Sequence, residues 1–135
     1  MIPIALVLLY LKIDDDEIGG IDVENYTFFG FFFLAVIFAP ILETLIGQLL
    51  PIKIIQKLLR NKHNTIPMLI SAILFSLMHF GYSIWYSLLT FPLGLLLAKT
   101  YIVFQKRKES SFWVTTAIHS LRNIIAVISI YNGIE

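Results

Sequence analysis

Long runs without charge dominate this chain, and they decide its solvent. Residues 26–52 carry one formal charge, Glu43, and residues 65–98 carry none. A spanning helix needs about 20 mainly apolar residues, because each residue rises about 1.5 Å through a hydrocarbon core about 30 Å thick. Residues 26–50 fit one span. Residues 65–104 are too many for one and are interrupted at Gly81, Tyr82 and Ser83, so the pattern predicts two helices joined by a tight turn. Residues 112–131 give another. A mean hydropathy of +0.83 and a hydrophobic content of 58% lie far above those of soluble domains. The expectation is an all-α integral membrane protein, a bundle of four to five transmembrane helices in which residues 1–135 form a single membrane domain.

The run 1–13 is short for a span, and it lacks the basic start and small-residue cleavage site of a signal peptide. It reads as a short or tilted span, an interfacial helix or the remnant of a longer N-terminal region. A membrane-embedded helix is the reading preferred here. With the acidic connector after it, it makes up residues 1–25.

The formal net charge of +1 argues against a nucleic-acid partner, which would call for a clustered basic face. The absence of cysteine excludes disulfides, thiolate metal sites and a cysteine nucleophile. Any catalysis has to use oxygen and nitrogen groups.

The connectors differ in sign. Asp14, Asp15, Asp16 and Glu17 make the first acidic; Lys53, Lys57, Arg60 and Lys62 make the second basic, as do Lys106, Arg107 and Lys108 the third. Lysine and arginine near span ends favour the cytoplasmic side, so connectors 53–62 and 106–108 are expected inside. An even number of crossings must then separate them, which the hairpin at Gly81 supplies. Residues 53–64 have apolar side chains at helical spacing between basic ones. An amphipathic interfacial helix and a helix end with a solvated loop both fit.

Ionisable groups in hydrocarbon are costly, about 2.5–3.5 kcal/mol for a central charge on insertion scales, so they usually face a cavity or a partner. Here they are Glu43, His79, His119 and Arg122. Pro40 precedes the carboxylate and weakens the backbone ladder near it. His79 follows Phe75 by four residues and shares its helical face, as Asn123 does with His119. A single intramembrane histidine or asparagine is more often an interhelical hydrogen-bonding partner than a catalyst. Phe75 reads as packing. One carboxylate, two imidazoles and an amide on three spans otherwise almost free of ionisable groups point instead to one site.

These residues resemble the CAAX protease and bacteriocin-processing family of intramembrane peptidases, also called the abortive-infection family. Its pattern is EExxxR, then FxxxH, then HxxxN or HxxxD. The second element stands here as Phe75, Ser76, Leu77, Met78, His79, and the third as His119, Ser120, Leu121, Arg122, Asn123. The first reads Glu43, Thr44, Leu45, Ile46, Gly47, Gln48, after Ala39, Pro40 and Ile41. Order and spacing match over residues 39–123. Thr44 and Gln48 hold the places of the family's second glutamate and its arginine. Losing one member of such a pair leaves a buried charge, at about 3–5 kcal/mol, whereas replacing both by neutral groups can be nearly neutral.

The resemblance implies an intramembrane endopeptidase, in which the residues matching Glu43 and His79 activate a water and those matching His119 and Asn123 stabilise the oxyanion. Membrane lipid and a peptide or lipidated protein substrate are the implied partners, in a bacterial cell membrane. Arg122 either snorkels or pairs structurally, or lies near Glu43 or a substrate carboxylate. No cofactor is expected. Zinc is the alternative, on Glu43, His79 and His119, since the family has also been described as metalloproteases, although the chain has no HExxH helix. A noncatalytic membrane immunity or scaffold protein of the same fold, and a proton-relay subunit, are the competing functions.

Overall fold

The computed structural model describes residues 26–60 and 63–132. The expectations for the run 1–13, the acidic connector 14–17 and Lys62 lie outside the described residues. Four helices carry the fold: α1 (Phe28–Leu58), α2 (Thr65–Met78), α3 (Ile84–Phe104) and α4 (Ser111–Tyr131). No strand occurs among the described residues. The expected helical membrane bundle is what forms.

Helix α1 starts at Thr27, whose Oγ1 accepts the Gly30 N–H at 3.2 Å and so satisfies a first-turn donor. Phe33–Phe38 and Thr44–Leu49 are wound as π-helix, and a proline follows each stretch, Pro40 and Pro51. The missing proline N–H accounts for this association, because it cannot serve the preceding turn and its ring displaces the carbonyl there. The Ala39 N–H reaches back to the Leu34 carbonyl; the next carbonyl in that register is that of Ala35, to which Pro40 offers nothing. At the second stretch the Leu50 N–H reaches back to the Leu45 carbonyl in the same way. Carbonyls of both stretches also accept from other helices. Asn123 Nδ2 donates to Ala35 O at 2.8 Å, and Ser71 Oγ donates to Gly47 O at 2.6 Å.

With 31 residues, α1 is about 46 Å long, well beyond the hydrocarbon core. The span expected over residues 26–50 therefore continues unbroken, and of the amphipathic stretch expected from residue 53 onward, residues 53–58 are its helical continuation. The chain stays helical through Leu58 and then turns, with Arg60 in the left-handed region at φ 53°. Charged side chains at 53 and 57 do not end a helix whose backbone bonding is intact, which is why the charge boundary mislocated its end. Gln56 and Gln105 exchange carboxamide hydrogen bonds, both 2.9 Å, and Gln56 also donates to Asn64 at 3.1 Å. The two basic connectors thus lie at the same end of the bundle, as the charge pattern required.

The hairpin expected around Gly81 forms, but its first arm is short. The 14 residues of α2 reach about 21 Å and the 21 residues of α3 about 31 Å, so the two arms of the hairpin are unequal. Three helices, α1, α3 and α4, are long and apolar enough to cross. The Tyr82 N–H closes the turn on His79 O at 3.2 Å, and Ser83 caps α3 by accepting the Tyr86 N–H at 2.9 Å. Helices α2 and α3 pack along one another. Gly94 permits this: a Cβ there would stand 3.0 Å from the Phe75 ring and 3.1 Å from the Ala72 carbonyl oxygen. Ser76 and Ser87 then bond reciprocally across the interface, Ser76 Oγ to Ser87 O at 2.5 Å and Ser87 Oγ to Ser76 O at 2.7 Å.

The core is layered. One apolar cluster, Phe31, Val36 and Val127, sits toward the start of α1, and another, Ile52, Ala98 and Tyr101, toward the glutamine pair. Between them the buried side chains are largely polar, including Thr44, Gln48, Ser71, Thr115 and His119. Large apolar residues such as Phe29, Leu88, Trp113 and Ile125 point outward, each more than half exposed. That inversion suits lipid, where the apolar face needs no partner and the polar groups do.

Candidate active site

Glu43 stands between the two π-helical stretches of α1, one turn after Pro40. Its Oε2 is 3.3 Å from His119 Nε2 on α4 and 3.8 Å from His79 Nε2 at the end of α2. Asn123 and Arg122 border the same cavity of about 410 Å³, with Tyr82 and Tyr86 on its α3 side. That volume is within the range of small-ligand sites. The structure therefore brings together the four residues singled out from the sequence.

The hydrogen bonds of the two imidazoles differ in kind. His79 Nδ1 lies 2.8 Å from the Phe75 carbonyl oxygen, which only accepts, so Nδ1 carries the proton and neutral His79 presents a lone pair at Nε2. That lone pair and the Glu43 carboxylate face each other as two acceptors, and 3.8 Å is too long for a direct bond. His119 Nε2 approaches the same carboxylate oxygen at 3.3 Å from the opposite helix, where an N–H is the complementary group.

Phe75 fixes both rings. It is fully buried, with its ring centroid 4.8 Å from that of His79 and 5.5 Å from that of His119. Gly47 and Gly94 flank it: a Cβ at Gly47 would lie 3.2 Å from one ring carbon, and one at Gly94 3.0 Å from another. The packing role expected for Phe75 is thus a wedge among three helices that sets the height of the site.

Asn123 serves two partners. One amide N–H goes to Ala35 O, its Oδ1 accepts from Arg122 Nη1 at 3.2 Å, and one N–H remains for the cavity. Arg122 is not diverted by its position one residue along the helix. It folds back onto Asn123 and borders the cavity, and no described carboxylate lies within 4.0 Å of it.

Thr44 and Gln48 are fully buried and do not border the cavity. The Thr44 hydroxyl and both polar atoms of Gln48 make no hydrogen bond among the described residues, as is true of the hydroxyls of Thr115 and Thr116 and of His119 Nδ1. Among the described residues no group of three histidine, cysteine, aspartate or glutamate side chains is disposed as a metal-binding set. Sequence reasoning passed over Tyr82, Tyr86 and Thr115. The tyrosines could have been found from their place beside the turn that carries His79, and Thr115 from its spacing of four from His119.

Compared with models of known protein families, residues 25–125 match the type II CAAX prenyl endopeptidase Rce1-like family. The chain belongs to this family. No curated protein and no solved structure matches it. Rce1-like proteins are a protease family, which agrees with the resemblance carried by Glu43, Phe75, His79, His119 and Asn123. A chain with three membrane-crossing helices in an Rce1-like family is an integral membrane protein of CAAX-protease type.

Proposed function

We propose that the chain is an intramembrane endopeptidase in which Glu43 and His79 activate water against a peptide bond of a membrane-associated peptide or lipidated protein. The observation that carries this reading is the Glu43 carboxylate poised between two imidazole Nε2 atoms, at 3.3 and 3.8 Å, on the wall of one cavity.

Glu43 accepts one proton of the water while the His79 lone pair accepts a hydrogen bond from the other. A carboxylate removed from bulk water is a serviceable general base. The water oxygen adds to the substrate carbonyl, and the resulting oxyanion accepts hydrogen bonds from His119 Nε2–H and from the free N–H of Asn123. Glu43 then returns its proton to the leaving amine nitrogen as the C–N bond breaks. Each proton is accounted for without a further reactant. Arg122, through Asn123 Oδ1, keeps the amide face turned to the cavity.

Zinc on Glu43, His79 and His119 is the competing means of activating water. The Phe75 carbonyl leaves His79 Nε2 free to accept in either reading; the metal-free one is preferred because no grouped ligand set occurs among the described residues. The excess of lysine and arginine at 53–60 and 106–108 orients that end toward the cytoplasm. The site then opens in the opposite half of the bilayer.

The test is Glu43→Gln in the full chain reconstituted in liposomes with lipidated and plain peptide substrates. Hydrolysis should vanish while insertion and folding persist. Equal turnover by the variant would remove the general base and with it this mechanism.

A further inference from the structure

One helical turn beneath the carboxylate lies a second polar layer that the proposed chemistry does not use. Helices α1 and α4 run antiparallel: Ala35 pairs with Asn123 and Glu43 with His119, so rising numbers on α1 meet falling numbers on α4. The stretch Thr44–Leu49, which carries Gln48, packs on α4, where Thr115 lies one turn from His119 on the side away from Asn123. Thr44 and Gln48 are a turn apart on α1, and Thr115 and His119 a turn apart on α4. All four are at most 2% exposed. Thr44 Oγ1, both polar atoms of Gln48, Thr115 Oγ1 and His119 Nδ1 have no hydrogen-bond partner among the described residues.

Buried polar groups are almost always satisfied, by one another or by internal water. What this layer offers His119 is decided by its chemistry. If Nε2 carries the proton toward Glu43, neutral His119 must accept at Nδ1, and the surrounding groups, the Gln48 amide and the threonine hydroxyls, can all donate. A carbonyl there, such as His79 has, would impose the other tautomer.

We propose that Gln48 and Thr115, through internal water, donate to His119 Nδ1 and so hold the His119 proton on Nε2. They are positioning residues, and the two histidines are thereby fixed in opposite tautomers, one accepting and one donating at the reacting bond. This inference rests on the hydrolytic reading for its effect on rate but not for its structural content.

Both are tested with Thr115→Val and Gln48→Leu, singly and together, in the full chain in lipid. The structural readout is the 15N spectrum of labelled histidine, with the three histidines assigned by single substitution. In the native chain His119 should show a hydrogen-bonded, unprotonated Nδ1, and the double variant should shift toward a mixture of tautomers. With substrate, kcat should fall about tenfold to hundredfold at little change in KM, short of the roughly 10⁴-fold loss when a direct tautomer-fixing group is lost in a serine protease. Thr115→Ser should restore both. An unshifted His119 spectrum in the double variant overturns the proposal. A shifted spectrum in a chain that never hydrolyses any substrate sustains the positioning and refutes the hydrolytic reading instead.

Discussion

Asn123 does two jobs that substitution can separate. Its amide fills the hydrogen bond that Pro40 denies to Ala35 O, and its remaining N–H faces the cavity. Asn123→Ala removes both. Stranding a buried carbonyl costs about 1–3 kcal/mol of stability, and losing an oxyanion donor costs about 2.7–4 kcal/mol in the barrier, or 10²–10³ in kcat. Pro40→Ala supplies a backbone N–H for the same carbonyl. In Asn123→Ala/Pro40→Ala the stability should therefore return toward that of Pro40→Ala alone, with a coupling of about 1–2 kcal/mol, within the range of contacting residues. Activity should stay low. Unfolding in micelles for the four chains of the cycle, with turnover measured on each in liposomes, gives both quantities. Strictly additive stabilities would refute the idea that Asn123 replaces a proline-deleted bond. Recovery of turnover together with stability would show that Asn123 never touches the reaction.

Gly94→Ala should destabilise by about 1–3 kcal/mol, because its methyl meets the Phe75 ring at 3.0 Å and the Ala72 backbone at 3.1 Å. Gly81→Ala, with nothing within 4 Å, should stay within about 0.5 kcal/mol of the parent in the same melts. Ser71→Ala should cost about 0.5–1.5 kcal/mol by removing the donor to Gly47 O, and Ser71→Thr, which keeps the donor, should cost less. Turnover should withstand dialysis against a strong chelator. Loss of turnover that zinc alone restores would replace the metal-free mechanism with a metal one.

Much of this arrangement could be read from residue order, and the reasons differ by element. The crossings were legible because lipid leaves only charge-poor runs in place, and the hairpin because Gly81, Tyr82 and Ser83 break one. Glu43, His79 and His119 could be named because three short patterns recur in order on spans that hold little else ionisable. The end of α1 could not, since Lys53 and Lys57 extend from a helix whose backbone does not register their charge. The shortness of α2 was implicit in a run that starts at Thr65 and breaks at Gly81. The dual bonding of Asn123 needs the π register at Phe33–Phe38, and pattern alone fixes no register. Thr115 stayed hidden because a threonine in a span is ordinary until its neighbours are known.

The place of two tyrosines has a consequence for supply. A bond broken by water inside a bilayer requires that water arrive there. Tyr82, in the turn after His79, and Tyr86, in the first turn of α3, border the cavity that holds Glu43, and the Tyr82 ring is nearly half exposed. Rings that are apolar in body and wet at the tip suit the level where headgroups meet acyl chains. The reagent's way in along this side therefore passes phenol oxygens and not a bare hydrocarbon wall.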